Sequence, residues 1–255
     1  MIKSSNYIKK IFNSSIDIAI VTGSGLSDIK NILEDKVIIF YSEVPDYFST
    51  TVEGHDGQFI FGTYNKHKIL IAVGRFHIYE GLSLDEVGLP IRIFHELDCK
   101  KIILTNSSGC LVPSWSLGDI MALDGHYDFT FRLGSENPKL IGGNEYYNKE
   151  LINLTKKVYP HLKIGKYGWV LGPAYETKAE IQSMKIQGVN AVGMSTVPEV
   201  LMAHRLGVTI LVLALMSNYA VGLSNDTLSH QIVLQNSIKY NKNFKLLLIS
   251  ILNNI

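Results

Sequence analysis

Six times along the chain a short apolar run stops abruptly in a cluster of small and polar residues. Ile16-Asp-Ile-Ala-Ile-Val21 ends in Thr22-Gly-Ser-Gly25, Lys68-Ile-Leu-Ile-Ala-Val73 in Gly74-Arg-Phe-His-Ile-Tyr-Glu-Gly81, and Lys101-Ile-Ile-Leu104 in Thr105-Asn-Ser-Ser-Gly109. Trp169-Val-Leu171 ends in Gly172-Pro-Ala-Tyr-Glu-Thr177, Asn190-Ala-Val-Gly-Met194 in Ser195-Thr-Val-Pro-Glu199, and Val208–Leu215 in Met216-Ser-Asn218. Short apolar runs without polar alternation suit strands buried on both faces. Helical periodicity lies between several of them: Leu84–Leu97 places Leu84, Val87, Ile91 and Phe94 on one stripe, Asn148–Tyr159 and Pro198–Leu206 are similar, and Leu228–Leu248 is long enough for one or two helices. Strands alternating with helices predict an α/β chain, one domain over residues 1–255, with a mostly parallel or mixed central sheet flanked by helices. Ligands of such sheets bind beyond the carboxyl ends of the strands. The polar run-ends are therefore the place to look for chemistry.

Composition removes several classes of function. The 255 residues carry 24 Lys+Arg against 23 Asp+Glu, a net charge of +1, which argues against nucleic-acid binding driven by bulk charge. A hydrophobic share of 46% at so low a net charge argues against disorder. Cys99 and Cys110 form neither a disulfide framework nor a C-x-x-C pair and read as reduced, buried thiols. The longest apolar run, the nine residues Val208–Met216, is too short to span a bilayer. The N-terminus lacks the cleavage pattern of a signal peptide. A soluble cytoplasmic protein, with no nucleic-acid or membrane partner, is the expectation.

Each polar run-end has a chemical and a plain reading. Gly23-Ser-Gly25 lets backbone N–H groups converge on an anion with the Ser24 hydroxyl beside them, or it is a tight turn. A dinucleotide site would need glycine where Asp28 stands, and no triphosphate P-loop occurs. Arg75 and His77 offer the donors a phosphate needs, in a loop shared with Tyr79 and Glu80; the alternative is a solvated surface loop. Thr105–Gly109 suits an anion nest or a turn. Thr196-Val-Pro-Glu199 reads as a capping box, leaving Ser195 to point its hydroxyl at a ligand near a positive helix end. Glu176, beside Tyr175, can accept from a ring N–H while the aromatic ring stacks, and Asn218 can donate and accept at once. A loop carboxylate that is simply solvated remains the plain reading of Glu176. The eight histidines show no metal-ligand spacing, so no metal site is expected.

Taken together, Gly23-Ser-Gly25, Gly54-His55-x-Gly57, Gly74-Arg-Phe-His-x-Tyr-Glu-Gly81, Thr105-Asn106, Gly172-Pro-x-Tyr-Glu-Thr177 and Gly193-Met-Ser-Thr-Val-Pro-Glu199 resemble the trimeric purine nucleoside phosphorylases that act on 6-oxopurine nucleosides. The resemblance is collinear from about Ile18 to Leu234. It implies a distorted, barrel-like sheet and phosphorolysis of inosine- or guanosine-type nucleosides and their deoxy forms, without a cofactor because orthophosphate is the second substrate. It implies a phosphate site of Ser24, His55, Arg75, His77, the Ser108 backbone N–H and Ser195. Tyr79 and Met194 would contact the ribose, His230 the 5′-hydroxyl, and Tyr175, Glu176 and Asn218 the base. The residues implied to carry the reaction are Asn218, Glu176 and His77, in a homotrimer whose subunits lend one another an aromatic side chain.

The sequence also departs from that family. The stretch Phe129–Tyr147 is short, leaving Tyr146 and Tyr147 as candidates for the lent ring. Ser107-Ser108 replaces small apolar residues, Glu53 a common proline, and Tyr219 a common lysine. Asn218 suits a 6-oxo group, whereas the related methylthioadenosine phosphorylases carry aspartate there, so methylthioadenosine is the rival substrate. A serine esterase is the rival chemistry, since Gly193-Met-Ser-Thr-Val197 nearly matches a nucleophile elbow with Asp226 and His230 following. Val197 stands where that elbow needs glycine. A binding module that has lost turnover is the remaining alternative.

Overall fold

A computed structural model describes residues 1–48, 56–131, 137–224 and 228–255. Among these the chain runs α1 (Lys3–Phe12), β1 (Ile18–Thr22), β2 (Glu34–Phe40), β3 (Gln58–Tyr64), β4 (His67–Val73), α2 (Leu84–Val87), α3 (Leu89–Glu96), β5 (Lys101–Cys110), β6 (Ile120–Asp128), β7 (Leu140–Gly142), α4 (Lys149–Val158), β8 (Lys163–Trp169), α5 (Lys178–Ile186), β9 (Val189–Gly193), α6 (Val197–Leu206), β10 (Thr209–Tyr219) and α7 (His230–Leu252).

The strands pair in the order β10-β6-β8-β9-β5-β1-β4-β3-β2, and β10 pairs again with β5. That second pairing closes β5, β10, β6, β8 and β9 into a barrel-like ring, from which β1, β4, β3 and β2 extend as an open wing. Pairing is mixed: β5 runs parallel to β1 and β10 but antiparallel to β9. All five residues of β1 are buried, as a strand flanked by parallel neighbours and covered on both faces must be. Helices α3 and α6 cover one another, and α7 lies on β10 with Phe244, Leu247, Leu248 and Ile251 buried.

Four local expectations are corrected. The Leu84–Leu97 helix is broken at Gly88 into α2 and α3, with Ser83 and Glu86 capping α2 reciprocally. The strand expected at Trp169–Leu171 lies upstream, where its outward lysines pair with acids of the β6 region: Lys163 with Asp119 at 3.6 Å and Lys166 with Asp124 at 2.7 Å. Those charges hid it from an apolar-run reading. Thr105–Gly109 and Ser217-Asn218 are not turns after strands but the continuing ends of β5 and β10. Their polar side chains make internal hydrogen bonds. Thr105 Oγ1, for example, donates to the Val21 carbonyl and accepts from the Gly23 N–H, both at 3.1 Å. Glycine fixes this junction, because a Cβ on Gly23 would sit 2.8 Å from the Asn106 Cα.

His126 on β6 is fully buried, its Nδ1 2.6 Å from the Tyr147 hydroxyl, and burial pushes its imidazole down to about 4. Unfolding restores an ordinary imidazole, which binds a proton below about 6.5. Stability is therefore held above pH 6.5 and lost as pH falls from there to about 4, by on the order of 2–3 kcal/mol. Melting curves across that window should show the loss, and His126→Phe should flatten it. An unchanged slope in the variant would assign the acid sensitivity elsewhere.

Candidate active site

The carboxyl ends of β1, β4, β9 and β10 meet the end of β5 around one pocket, the place where sheets of this kind bind ligands. β1 delivers Gly23 and Ser24, and β4 delivers Arg75, His77 and Tyr79. Asn106, Ser107 and Gly109 come from β5, Tyr175 and Glu176 from the loop after β8, and Val192–Ser195 from the end of β9. Asn218 closes β10, and Leu228, His230 and Val233 come from the start of α7. Ten of the twelve residues singled out from the sequence thus line a single cavity.

Arg75 is 2% exposed, and its guanidinium is gripped from below. Its Nε and Nη2 donate to Glu199 Oε1 at 3.0 and 2.8 Å, and Nη1 donates to the Thr105 carbonyl. Three of five N–H donors are thereby used, and two remain for the cavity. Glu199 is wholly buried at the start of α6, with its second oxygen Oε2 lacking a hydrogen-bond partner among the described residues. The capping-box expectation is therefore corrected: Thr196 makes no side-chain cap and Glu199 serves the arginine. Thr196 instead adopts φ +77°, uncommon for a β-branched residue, and its hydroxyl accepts from Asn106 Nδ2 at 2.9 Å while lying 3.1 Å from Ser195 Oγ. Backbone strain of this kind persists only where the surroundings hold it, here beside a hydroxyl that faces the pocket. His77 stacks on Tyr79 at 4.7 Å between centroids, and its Nδ1 lies 3.1 Å from Glu80 Oε1.

Asn218 is aimed by a β-bulge. Between Met216 and Asn218 the register of β10 on β5 slips, so that Asn218 stands opposite Gly109. A Cβ on Gly109 would lie 3.3 Å from Asn218 Nδ2, which makes glycine part of the amide's seat. The amide Oδ1 accepts from Ser217 Oγ at 2.8 Å and Nδ2 donates to the Tyr219 carbonyl at 3.1 Å, leaving one N–H and one lone pair open. Burial lifts the Glu176 carboxyl above its usual range, the charge of Glu180 adding to the rise. Tyr79 is pushed up to about 12 by burial, with Glu80 contributing. Gly172, at φ +74°, lets its loop pack onto Met194 and Tyr79, since a Cβ there would fall 2.5 Å from the Met194 sulfur.

β5 acts as a ruler for this pocket. The carbonyl of Thr105 holds the arginine and Gly109 seats the amide, four residues or roughly 13 Å of extended strand apart. The guanidinium and the amide are thus anchored at two separate points along one strand.

Of the remaining two residues singled out from the sequence, only Ser108 is described, and it does not line the cavity. Ser108 is buried and donates its hydroxyl to Asn106 Oδ1 at 2.7 Å, while the neighbouring Ser107 faces the pocket. The segment read from sequence as a turn is the continuing end of β5. His55 lies outside the described residues, as do Glu53 and Asp226. Of the two tyrosines considered for a neighbour's site, Tyr147 is packed into its own core at 2% exposure, and Tyr146 stacks on His204 at 3.9 Å. Glu199, Asn106 and Thr196 were missed as site builders because each reads from sequence as a cap or turn residue.

The chain's relatives carry a consistent set of names. Residues 17–253 match the family described as the phosphorylase superfamily. Purine nucleoside phosphorylase 1 of Bacillus subtilis is 35% identical over 95% of this chain and 93% of its own length. The Mus musculus purine nucleoside phosphorylase is 35% identical over 80% and 76%. A crystal structure of Schistosoma mansoni purine nucleoside phosphorylase in complex with inosine has a TM-score of 0.89 at 30% identity, covering 99% of this chain and 95% of that one. Schistosoma complexes with guanosine and with adenosine match as well.

Proposed function

The chain belongs to the purine nucleoside phosphorylase family within the phosphorylase superfamily, and from that premise we propose that its pocket cleaves 6-oxopurine nucleosides and their deoxy forms with orthophosphate, releasing the base and (deoxy)ribose 1-phosphate. One observation carries the reading. Buried Arg75, with two donors to spare, and the aimed amide of Asn218 line a single cavity, anchored four residues apart on β5.

Ser24, Arg75, His77, Ser195 and the Ser108 backbone N–H hold the phosphate, with His55 near it; Ser24, Arg75, His77 and Ser195 all line the cavity, as does Ser107. Tyr79, Met194 and His230 border the sugar; Tyr175, Glu176 and Asn218 border the base. The C1′–N9 bond breaks with its electron pair moving into the purine, leaving an oxocarbenium-like sugar. The phosphate dianion stabilises that cation and then bonds to C1′ through one oxygen. Negative charge growing on the purine is met by Asn218 at N7 and O6, an interaction stronger in the transition state than in the ground state. Glu176 accepts from N1–H and fixes the ring. No cofactor enters this scheme, and among the described residues no group of three His, Cys, Asp or Glu side chains could hold a metal ion. No described helix is long and apolar enough to cross a membrane. A homotrimer in the cytoplasm is the assembly and location favoured by the resemblance to trimeric members.

Substrate choice follows from Glu176. A 6-oxopurine offers N1–H to the carboxylate, whereas adenine presents a lone pair there and leaves the half-buried charge unpaired. Inosine and guanosine should therefore exceed adenosine and methylthioadenosine in kcat/KM by roughly 10-fold or more. A panel of the four nucleosides, with and without orthophosphate, tests both halves: turnover should vanish without phosphate. Equal turnover without phosphate would point to a hydrolase, and a preference for 6-amino substrates would reverse the assignment of Glu176 and Asn218.

A further inference from the structure

The Gly23-Ser24-Gly25 loop is clamped between two elements. Gly23 rests on Asn106 of β5, and a Cβ on Gly25 (φ +74°) would meet the Ser237 Cβ of α7 at 2.7 Å. Between loop and helix run two hydroxyls: Ser107 Oγ donates to the Ser24 carbonyl at 3.0 Å, and Ser237 Oγ donates to Ser107 Oγ at 2.7 Å, with the Val233 carbonyl also 2.7 Å away. A small apolar side chain at 107 could not make this connection. Ser237 is buried and lies off the pocket wall, whereas Val233, one turn earlier on the same helix, lines it.

We propose that Ser107 and Ser237 form a hydroxyl relay that positions the phosphate loop by tying the Ser24 peptide to α7, making Ser237 a positioning residue for orthophosphate. The inference rests on the phosphorylase reading of the pocket. A peptide unit is rigid and planar, so a hydrogen bond to the Ser24 carbonyl fixes the plane that precedes Gly25. Without that bond the glycine-flanked loop regains backbone freedom. Freedom in the loop weakens whatever the Ser24 hydroxyl holds while leaving the base end untouched.

Steady-state kinetics with inosine and orthophosphate on the full-length wild type, Ser237→Ala, Ser107→Ala and the double variant test this. KM for phosphate should rise roughly 3- to 10-fold in Ser237→Ala, the equilibrium worth of about one hydrogen bond. The double variant should rise no further than Ser107→Ala alone, since both changes cut one chain. KM for inosine at saturating phosphate should stay within about two-fold. A purely structural role would instead lower the melting temperature equally with and without phosphate, while a positioning role shrinks the phosphate-induced rise in melting temperature. Phosphate KM within two-fold of wild type in Ser237→Ala, or additive effects, would overturn the relay and leave the phosphorylase reading standing. Absence of phosphate-dependent turnover in the wild type would bring down that reading, and the relay with it.

Discussion

Asn218→Ala is expected to lower kcat/KM for inosine by roughly 10²–10³, the usual loss when one preorganised donor to developing charge is removed. The effect should fall on kcat more than on KM. In the ground state N7 and O6 are neutral acceptors, and only as the glycosidic bond lengthens does the purine acquire the charge that the amide answers. The structure sharpens this expectation because Asn218 arrives preset. Ser217 holds its Oδ1, the Tyr219 carbonyl holds one of its N–H groups, and the bulge against Gly109 fixes its direction. Little reorganisation is then needed at the moment of cleavage. Parallel measurement of KM for phosphate should show little change, because the proposed anion donor Arg75 is anchored at Thr105, four residues along β5 from the Gly109 seat of Asn218. A variant that keeps wild-type kcat, or that loses phosphate affinity instead, would remove Asn218 from leaving-group stabilisation.

Most of the framework was legible because the buried strands leave continuous apolar runs. β1, β4 and β10 are such runs, and the mixed α/β architecture follows from their alternation with helices. β3 and β8 escaped because both carry polar or glycine residues for reasons only pairing explains. Gly62 interrupts β3, for instance, since a Cβ there would press on the Glu34 carbonyl at 2.7 Å. At the site, residues that meet the pocket directly were legible by their chemistry, as with Arg75, Glu176 and Asn218. Those that support them were not. Glu199 lies 124 positions from Arg75, and a sequence offers no cue that this carboxylate turns from capping its helix to the arginine. Thr196 at positive φ is likewise invisible without coordinates, because nothing in its residue type asks for that conformation.

Glu199→Gln separates the two tasks of that buried pair. Glutamine keeps the shape and an oxygen for Arg75 Nε and Nη2, but removes the charge facing a guanidinium that is itself 2% exposed. Leaving one buried charge without its counterion costs about 3–5 kcal/mol, so the melting temperature should drop by roughly 6–15 °C for a chain of this size. Bound orthophosphate supplies replacement negative charge, so the variant should recover more of its melting temperature on adding phosphate than the wild type gains. Its KM for phosphate should change less than that of an arginine variant. Arg75→Gln combined with Glu199→Gln should regain much of the lost stability, because a neutral pair buries no uncompensated charge. It should nonetheless lose phosphate affinity severely, since the two free donors of Arg75 go with it. If the double variant instead binds phosphate as the wild type does, Arg75 is a structural ion-pair partner and the anion is held elsewhere in the pocket. If Glu199→Gln melts as the wild type does, the pair is not the clamp that its geometry describes.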